Sequence, residues 1–369
     1  MLLAIETSCD ETAVSLFDYR AYLAGAAAAD ALKYEKISSQ AEMHAAYGGV
    51  VPELAAREHL LSLPLLIEQA SHILSEKENK AITAIAVTQG PGLKGCLLVG
   101  VSFAKSYALA NSIPLIPVQH IEAHLLSALL SSKHYLDGQP SVALVVSGGH
   151  TELYSITGFR EYRRIAKTLD DAAGEAFDKS ATLLGLPYPG GPRLAALAKT
   201  SQADKRILAK YRVSKGVPHD ESAFSFSGLK TDVCRVVAEA QHSQSTDWKA
   251  DVAAACEIAI VNSLVRKSVS AVKRFSAKRF LLCGGVAANE RLRAELAVSL
   301  AAAGCELLVP STFHCTDNAS MIAVCAAEQI RKFGEAAFDI AREPKLAQLA
   351  ARPRFPLIEL LQEPPCAFC

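Results

Sequence analysis

Two histidines four residues apart, His120 and His124, are the side chains most suited to chemistry in this sequence. The apolar run 113–118 predicts a short buried strand, and the apolar residues after Gln119 recur at helical spacing. Because histidines four positions apart share one helix face, the pair can hold a single metal ion between them. Two ordinary histidines on a half-buried helix would give the same pattern, so a metal site requires a third ligand from elsewhere.

An acid near the end of the sequence is the best candidate for that third ligand. Asp317 lies in the segment Cys315-Thr-Asp-Asn318, directly before an apolar helix that we expect over 319–330. Aspartate binds the same metals as histidine, which favours a site. Thr, Asp and Asn also cap helix starts, so the alternative role of Asp317 is that of a capping residue.

Two polar turns, each between two short apolar runs, predict two similar hairpins. The first turn is Thr7-Ser-Cys-Asp-Glu11 and the second is Ser147-Gly-Gly-His-Thr151. Backbone N–H and hydroxyl groups of such turns can bind phosphate, while carboxylates such as Asp10 and Glu11 hold a cation beside it. A hairpin tip without a ligand is the simpler alternative. The repeat predicts two related α/β halves that each contribute one hairpin to a central cleft.

Two further segments suit nucleotide binding. The strand 280–283 runs into Gly284-Gly-Val-Ala-Ala-Asn289, where the glycine backbone lets a flat ring approach and Asn289 offers a bidentate amide. Asp178 lies one turn into an acid-rich helix start at 170–179 and can accept hydrogen bonds from ribose hydroxyls. A plain turn and a surface acid are the alternatives to these two roles.

The composition is that of a globular protein without a strong net charge. The chain has 369 residues, 50% of them hydrophobic, with Lys+Arg and Asp+Glu equal at 38 each. Without a large cationic field, contact with nucleic acid needs a local patch or a partner. No run of eighteen apolar residues occurs, so we expect no membrane span. Ten scattered cysteines predict reduced thiols in a cytoplasmic protein, and the pair Cys366 and Cys369 is weak evidence for a metal or redox site.

The organisation of the chain follows from these patterns. We expect an N-terminal α/β domain over 1–118, a C-terminal α/β domain with the metal and nucleotide sites over 119–333, and a packed tail over 334–369. The segment 35–60 is expected to be inserted in the first domain, with a helix starting at its proline. The polar segment 200–222 is expected to be a mobile insertion.

A series of short motifs, taken in order, resembles the bacterial TsaD family of tRNA N6-adenosine threonylcarbamoyltransferases. The motifs are Ile5–Thr12, His44–His59, Gly90–Gly92, His120–His124, Ser147–Thr151, Asp170–Lys179, Phe224–Lys230, Gly284–Asn289 and Cys315–Asn318. The resemblance extends from about residue 2 to about residue 333. It implies an actin-like, sugar-kinase-like (ASKHA) fold of two duplicated α/β domains with a nucleotide cleft between them.

The resemblance also implies roles for individual residues. His120, His124 and Asp317 resemble the ligands of one divalent metal ion per subunit, iron or zinc. Asp10 and Glu11 resemble acids that are required for full activity. The positions that resemble contacts to the substrate nucleotide are Val145, Val146, Ser147, Gly148, Gly149, Asp178, Gly191 and Asn289. At Ala195 many family members carry an aspartate that touches the ribose, so that contact is absent here.

The reaction implied by the resemblance is an acyl transfer. Threonylcarbamoyl-AMP gives its threonylcarbamoyl group to N6 of the adenosine 3′ of the anticodon, in tRNAs that read codons starting with A, and AMP leaves. The resemblance further implies a paralogous actin-fold partner of the TsaB type and a small ATPase of the TsaE type.

Three alternatives use parts of the same pattern. A metallopeptidase would need Glu directly after the first histidine, where this chain has Ile121. A non-catalytic nucleotide-binding scaffold of the same fold would be expected to have lost His120, His124 and Asp317. A sugar kinase or chaperone-type ATPase would hold Mg·ATP with acids and would not need paired histidines on a helix.

Overall fold

The computed structural model describes residues 1–74, 81–132, 136–202, 211, 213, 219–241, 248–334, 336–337 and 345–361. The predictions for Cys366 and Cys369, and for most of the polar segment 200–222, lie outside these residues. The other predicted strands and helices fall within the described part of the chain and are compared with it below.

Short apolar runs form the strands of two sheets. The strands are β1 (Leu2–Glu6), β2 (Glu11–Phe17), β3 (Leu32–Ser39), β4 (Ala84–Gly90), β5 (Leu115–Gln119), β6 (Ser141–Val146), β7 (Thr151–Gly158), β8 (Glu161–Thr168), β9 (Ala223–Phe224), β10 (Arg279–Cys283) and β11 (Glu306–Leu308). The runs predicted as strands from the sequence each overlap one of these elements.

Helices connect and cover the strands. They are α1 (Tyr19–Leu23), α2 (Ala28–Ala31), α3 (Ala41–Ala45), α4 (Pro52–Ile73), α5 (Lys94–Asn111), α6 (His120–Leu126), α7 (Ala173–Leu183), α8 (Gly190–Lys199), α9 (Ser227–Gln241), α10 (Trp248–Phe275), α11 (Glu290–Ala302), α12 (Ala319–Phe333), α13 (Lys345–Gln348) and α14 (Leu357–Leu360). Pro52 occupies the first turn of α4, as predicted. Among the described helices, none is both long and apolar enough to cross a membrane.

The two sheets repeat one topology. The first has the order β3-β2-β1-β4-β5, in which β1 pairs antiparallel with β2 and parallel with β4. The second has the order β11-β10-β6-β7-β8-β9, in which β6 pairs antiparallel with β7 and parallel with β10. Read from β8 to β11, the second sheet therefore repeats the first, and β9 is an addition at its edge. This confirms the predicted duplication, with the two polar turns at equivalent places after β1 and after β6.

The strands alternate between a central core and an outer core. Leu2 and Ala4 of β1 join the central core, whereas Leu3 and Ile5 join the outer core beneath α4 and α5. The strand β6 alternates in the same way between the central core and the core of the second half. Full burial of a Leu or Ile side chain contributes about 1.5–3 kcal/mol, so both sheet faces stabilise the fold.

The central core holds two helices between the sheets. The helix α6 follows β5 and contacts β6 and β10, while α12 follows β11 and contacts β1 and β2. The two helices also pack against each other. Because β5 and β11 are equivalent strands of the duplicated topology, α6 and α12 are equivalent helices of the two halves.

The described part of the tail packs onto the outer core of the first sheet and onto the central core. Leu346 and Leu349 lie in the outer core of the first sheet, and Phe355, Leu357 and Leu360 lie in the central core. The tail therefore contacts both the first sheet and the layer between the sheets.

The prediction of an insertion at 35–60 needs a correction, because this segment begins inside β3. That strand pairs along its length with β2, and its residues are half-buried or exposed. As an edge strand it carries charged side chains such as Lys33, Glu35 and Lys36, which hide the apolar alternation of a strand. The strand β8 was also missed, since Arg163, Arg164 and Lys167 interrupt its apolar pattern.

Candidate metal centre and substrate cleft

The two histidines lie at the start of α6. The Gln119 side chain caps this helix by accepting a hydrogen bond from the Glu122 N–H at 2.6 Å, and it donates to the Phe355 carbonyl at 2.8 Å. These contacts fix the helix start directly after β5. The His120 and His124 rings lie edge to face, with 4.6 Å between their centroids. Both histidines are buried, as expected for groups held in one orientation.

Asp317 completes a cluster with the two histidines. Its Oδ1 atom lies 3.0 Å from Nε2 of His124 and 3.5 Å from Nε2 of His120. One nitrogen or oxygen from each of the three residues lies within 4.8 Å of the others. The cap of α12 is Asn318, whose Oδ1 accepts from the Met321 N–H at 2.8 Å, so the capping role considered for Asp317 was wrong.

The donor set of this cluster fits a divalent metal. Two imidazoles and one carboxylate are the ligands of many zinc sites and of non-haem iron sites. The Asp317 side chain is 20% exposed and that of His124 is 1% exposed. One side of the cluster therefore faces solvent, which leaves room for a substrate oxygen.

In the absence of a metal, the opposite charges of His120 and Asp317 stabilise each other. Burial alone would lower the pKa of His120, but the carboxylates of Asp317 and Glu6 outweigh it and raise the pKa to about 9. Burial opposes ionisation of Asp317, yet the imidazoles of His120 and His124 hold the pKa of this carboxyl well below its usual range. The metal-free cluster is thus an ion pair of imidazolium and carboxylate, and a bound cation would take the place of the proton.

Contacts on the far sides of the two rings differ. Nδ1 of His120 lies 3.1 Å from Oε2 of Glu6 and 3.3 Å from Oγ of Ser8. Nδ1 of His124 is buried and has no hydrogen-bond partner within the described ranges. The first ring is therefore held by polar contacts and the second by packing.

The first polar turn carries its two acids next to the cluster. Asp10 is buried, and Glu11 accepts a hydrogen bond from the Ser39 hydroxyl at 3.3 Å. Burial, then the charges of Asp10 and Asp317, raise the pKa of Glu11. The same causes raise the pKa of the neighbouring Cys9 thiol, which disfavours its thiolate form. A cation beside this turn stays a prediction.

The segment His44–His59 forms hydrogen bonds with the first polar turn through His59. The buried His59 donates its Nε2 hydrogen to the Cys9 carbonyl at 2.9 Å, and its Nδ1 accepts from the Thr12 hydroxyl at 2.7 Å. His44 is also buried and bonds Gln40 at 3.1 Å. These two histidines are thus engaged within the protein.

Asp178 lies within electrostatic range of Asp10 in the first turn. Its Oδ1 accepts from the N–H groups of Gly190 and Gly191 at 2.9 and 3.0 Å, which caps α8. Burial raises the pKa of Asp178, and Asp10 adds to the increase despite its distance in sequence. Burial, then Asp10 and Asp178, also raise the pKa of Tyr188, so these groups share one electrostatic environment.

The second polar turn and the glycine loop meet beside β6. Val145 and Val146 are buried strand residues, and the Ser147 carbonyl accepts from the Gly174 N–H at 3.2 Å. At Gly284, φ is +91° and an added Cβ would lie 2.4 Å from the Val146 carbonyl oxygen. At Gly148, Gly149 and Gly285, an added Cβ would meet nothing within 4 Å. The turn and the loop therefore leave open space lined by backbone.

Asn289 has a structural function, whereas its contact with a nucleotide stays a prediction. Its Oδ1 accepts from the Leu292 N–H at 2.8 Å and caps α11, and its Nδ2 donates to Glu257 at 2.8 Å. The amide is therefore occupied on both sides in this structure. Ala195, on α8, is half-buried and offers no polar group.

Two residues at the cluster were not singled out from the sequence. Glu6 is a fully buried carboxylate at the end of an apolar strand, and such a residue is unusual enough to be a signal. His150 lies in the second turn, and burial, opposed by Glu152 and reinforced by His120 and His124, lowers its pKa. Its place in the Ser-Gly-Gly-His-Thr motif was noted, but nothing in the sequence indicated that it faces the paired histidines.

Comparison with known proteins identifies relatives over most of the chain. The family model TsaD, described as tRNA N6-adenosine threonylcarbamoyltransferase, matches residues 32–324. A protein of that name from Aromatoleum aromaticum is 46% identical over 88% of this chain and 90% of its own. A second, from Thiobacillus denitrificans, is 43% identical over 98% of both chains. Among solved structures, T. kodakarensis HypF has a TM-score of 0.58 at 13% identity, covering 90% of this chain and 48% of that one, which supports the fold alone.

These matches extend well beyond the motifs from which the resemblance was first inferred. They span both sheets and the helices that carry the histidine pair and Asp317. The duplicated sheets agree with the actin-like fold expected from the sequence. The chain belongs to the TsaD family of tRNA N6-adenosine threonylcarbamoyltransferases, and it is accordingly an acyltransferase that modifies tRNA.

Proposed function

We propose that the transfer takes place at the His120, His124 and Asp317 cluster, with one divalent metal ion, iron or zinc, held by these residues. The observation that carries the proposal is the convergence of two imidazoles and one carboxylate on one point, beside the acids of the first turn. When bound, such an ion supplies positive charge that polarises a carbonyl or phosphoryl oxygen. Neutral imidazoles leave most of that charge uncompensated, which suits this purpose.

The cleft beside the cluster is proposed to hold threonylcarbamoyl-AMP. The backbone of Gly148 and Gly149 lines open space and can offer N–H groups to an oxyanion or phosphate. The Ser147 N–H donates to the His150 carbonyl at 2.8 Å, so Ser147 contributes by fixing the turn. Asp178 uses Oδ1 to cap α8, which leaves Oδ2 to accept from ribose hydroxyls. Gly191 adjoins this carboxylate, and Asn289, at the end of the glycine loop, completes the set of residues proposed for the nucleotide.

The chemical step is the attack of an adenine amine on the carbamoyl carbon. A bond forms between N6 and that carbon, the bond from the carbon to the phosphate oxygen breaks, and AMP leaves with the electron pair. The amine must also lose one proton, and we assign its removal to Asp10, directly or through a water molecule. Glu11 adjoins Asp10 in the same turn, and burial, then the charge of Asp10, raises the pKa of the Glu11 carboxyl.

The tRNA is proposed to bind with the help of partner proteins. The chain has equal numbers of acidic and basic residues, so it lacks the broad positive field that attracts nucleic acid. The target base must also be turned out of its loop to reach a buried cluster. We therefore propose a paralogous TsaB-type partner and a TsaE-type ATPase, acting in the cytoplasm.

The metallopeptidase alternative is disfavoured by the position of Glu122. A peptidase of that class needs a glutamate that reaches the water on the metal. Glu122 is fully buried, lies 3.6 Å from the Arg160 guanidinium and accepts from the Cys325 thiol. These partners hold the carboxylate on another face of α6 from the two histidines.

A reconstituted transfer assay tests the proposed function. The purified chain, its partner proteins, unmodified tRNA and threonylcarbamoyl-AMP would be mixed, and threonine bound to tRNA would be counted. We expect incorporation that stops when the metal is removed by a chelator and returns when iron or zinc is added. Incorporation that is unaffected by complete removal of metal would contradict the metal-assisted mechanism.

A further inference from the structure

We infer that Glu6 is a positioning residue, which orients His120 as a metal ligand and links that ligand to the turn carrying Asp10 and Glu11. The inference rests on the metal-assisted transfer proposed above. It concerns a carboxylate that does not belong to the cluster itself, and it follows from the contacts of that carboxylate with three different parts of the first half.

Glu6 is fully buried at the end of β1, and its carboxylate has three polar partners. Its Oε1 accepts from the Ser8 N–H. Its Oε2 accepts from the Thr88 hydroxyl at 2.6 Å and lies 3.1 Å from Nδ1 of His120. An isolated charge in this place would cost several kcal/mol, so the three partners explain how the carboxylate stays in the core.

The contact with Glu6 decides which nitrogen of His120 is available. Oε2 of Glu6 lies 3.1 Å from Nδ1 of His120, so this nitrogen is engaged by the carboxylate. Nε2, which faces Asp317 at 3.5 Å, is then the nitrogen that binds a metal. A carboxylate behind a metal-bound imidazole fixes its orientation and increases its basicity.

The second histidine lacks such a partner. Nδ1 of His124 has no hydrogen bond among the described residues, and the ring is held by its neighbours in the central core. The two ligands are therefore unequal. The Glu6 carboxylate orients the His120 ring, whereas the His124 ring is oriented on that side by packing alone. We expect the affinity for metal to depend on Glu6 more than on other buried carboxylates of similar exposure.

Glu6 also connects the ligand to the first turn. Ser8 donates its N–H to Glu6, and the Ser8 carbonyl accepts from the Leu93 N–H at 2.8 Å. Asp10 and Glu11 follow two and three residues later in the same turn. A single carboxylate thus holds both the imidazole and the start of the segment that bears the catalytic acids.

The test is a comparison of zinc affinity among full-length variants. Metal-stripped protein would compete with a chromophoric chelator for zinc at one fixed pH. Glu6→Gln keeps the shape of the side chain and removes its charge, and we expect it to weaken zinc binding about 10–100-fold. Thr88→Val removes one hydrogen bond to Glu6 without touching a histidine, and we expect a smaller loss of affinity.

Glu328→Gln is the matched control. Glu328 is also a buried carboxylate, and its described hydrogen bonds come from Tyr22 and Arg331, which lie outside the cluster. We expect it to lower the stability of the metal-free chain, measured by urea unfolding, without changing zinc affinity. A role of Glu6 in stability alone would make the two Gln variants alike in both measurements.

His120→Ala separates failure of this inference from failure of the proposed metal site. If His120→Ala loses zinc but Glu6→Gln and Thr88→Val bind it as tightly as the wild type, the role of Glu6 is contradicted and the site remains. If His120→Ala binds zinc as tightly as the wild type, the metal site is contradicted and the inference falls with it. Should Glu6→Gln not fold, Thr88→Val decides the question by the same criterion.

Discussion

Nε2 of His124 lies 3.0 Å from Oδ1 of Asp317, although the two residues are 193 positions apart in the chain. His124 is on α6, which follows the edge strand β5, and Asp317 precedes α12, which follows the equivalent edge strand β11. The cluster is therefore built on matching helices of the two halves, which pack against each other between the sheets. The geometry of such a site depends on how the two halves are placed relative to each other.

The metal-free protein is expected to lose stability as the pH rises from about 6.5 to about 9. Burial lowers the pKa of His120, but Asp317 and Glu6 outweigh it and raise the pKa to about 9. A group with a raised folded-state pKa contributes its full stability below the unfolded value and loses it as the pH rises through the folded value. The contribution is on the order of 3 kcal/mol at most. Asp317 remains ionised throughout this range, because its pKa is lowered.

Urea unfolding of metal-stripped protein at several pH values measures this effect. The control is His120→Gln, which cannot gain the proton and should show a flatter dependence of unfolding free energy on pH between about 6.5 and 8.5. Buried cysteines add a decline at higher pH in both proteins, so the comparison is confined to that range. Parallel curves for the two proteins would show that His120 is not held by the two carboxylates.

Gly284 and Gly285 are adjacent glycines with opposite expectations. At Gly284 the backbone is left-handed and an added Cβ would lie 2.4 Å from the Val146 carbonyl oxygen, whereas at Gly285 it would meet nothing within 4 Å. Gly284→Ala should lower the free energy of unfolding by about 2 kcal/mol or more. Gly285→Ala should change it by about 0.5 kcal/mol or less. Urea unfolding of both variants is the measurement, and equal losses would contradict the described loop.

Asp178 combines a cap with a proposed substrate contact, and two substitutions separate these functions. Asp178→Ala removes the acceptor for the Gly190 and Gly191 N–H groups and should cost about 1 kcal/mol of stability as well as substrate affinity. Asp178→Asn keeps an acceptor for the cap but loses the charged acceptor for ribose. It should retain its stability and raise KM about tenfold or more. An unchanged KM in both variants would remove Asp178 from the substrate site.

Substitution of Asp10 is expected to lower the rate of transfer without changing the metal content of the protein. Asp10→Asn removes the proposed proton acceptor and should lower kcat roughly a hundredfold, within the usual range for general base catalysis. Metal content, measured by elemental analysis, should stay at the wild-type level, because Asp10 is not one of the three clustered ligand residues. A wild-type rate for Asp10→Asn would contradict this role of Asp10. A water molecule or the leaving phosphate would then be the proton acceptor.

The sequence alone was sufficient to predict the duplicated hairpins and the shared helix face of the histidine pair. Apolar runs on both sides of the two polar turns predicted β1, β2, β6 and β7, because buried strands leave few polar residues in their sequence. The spacing of His120 and His124 predicted a shared helix face for the same local reason. Local patterns of this kind need no knowledge of distant contacts.

Other features depend on distant contacts and were not predictable. Thr316, Asp317 and Asn318 are all suited to a helix cap, and only the structure shows that Asn318 takes that role and leaves Asp317 free. Glu6 ends an apolar strand, and its partner His120 lies 114 residues away. The strand β3 has charged residues because it is an edge strand with half-exposed faces, so periodicity gave no signal there.

The most direct test measures both metal content and threonine transfer in one variant. His124→Ala would be assayed beside the wild type and His72→Ala, a control at an exposed histidine on α4. Each protein would be measured for bound metal per chain and for threonine transferred to tRNA with all partners present. We predict that His124→Ala loses the metal and that transfer falls by about a hundredfold or more, while His72→Ala behaves as the wild type. Full transfer by a His124→Ala protein that holds no metal would contradict the central claim.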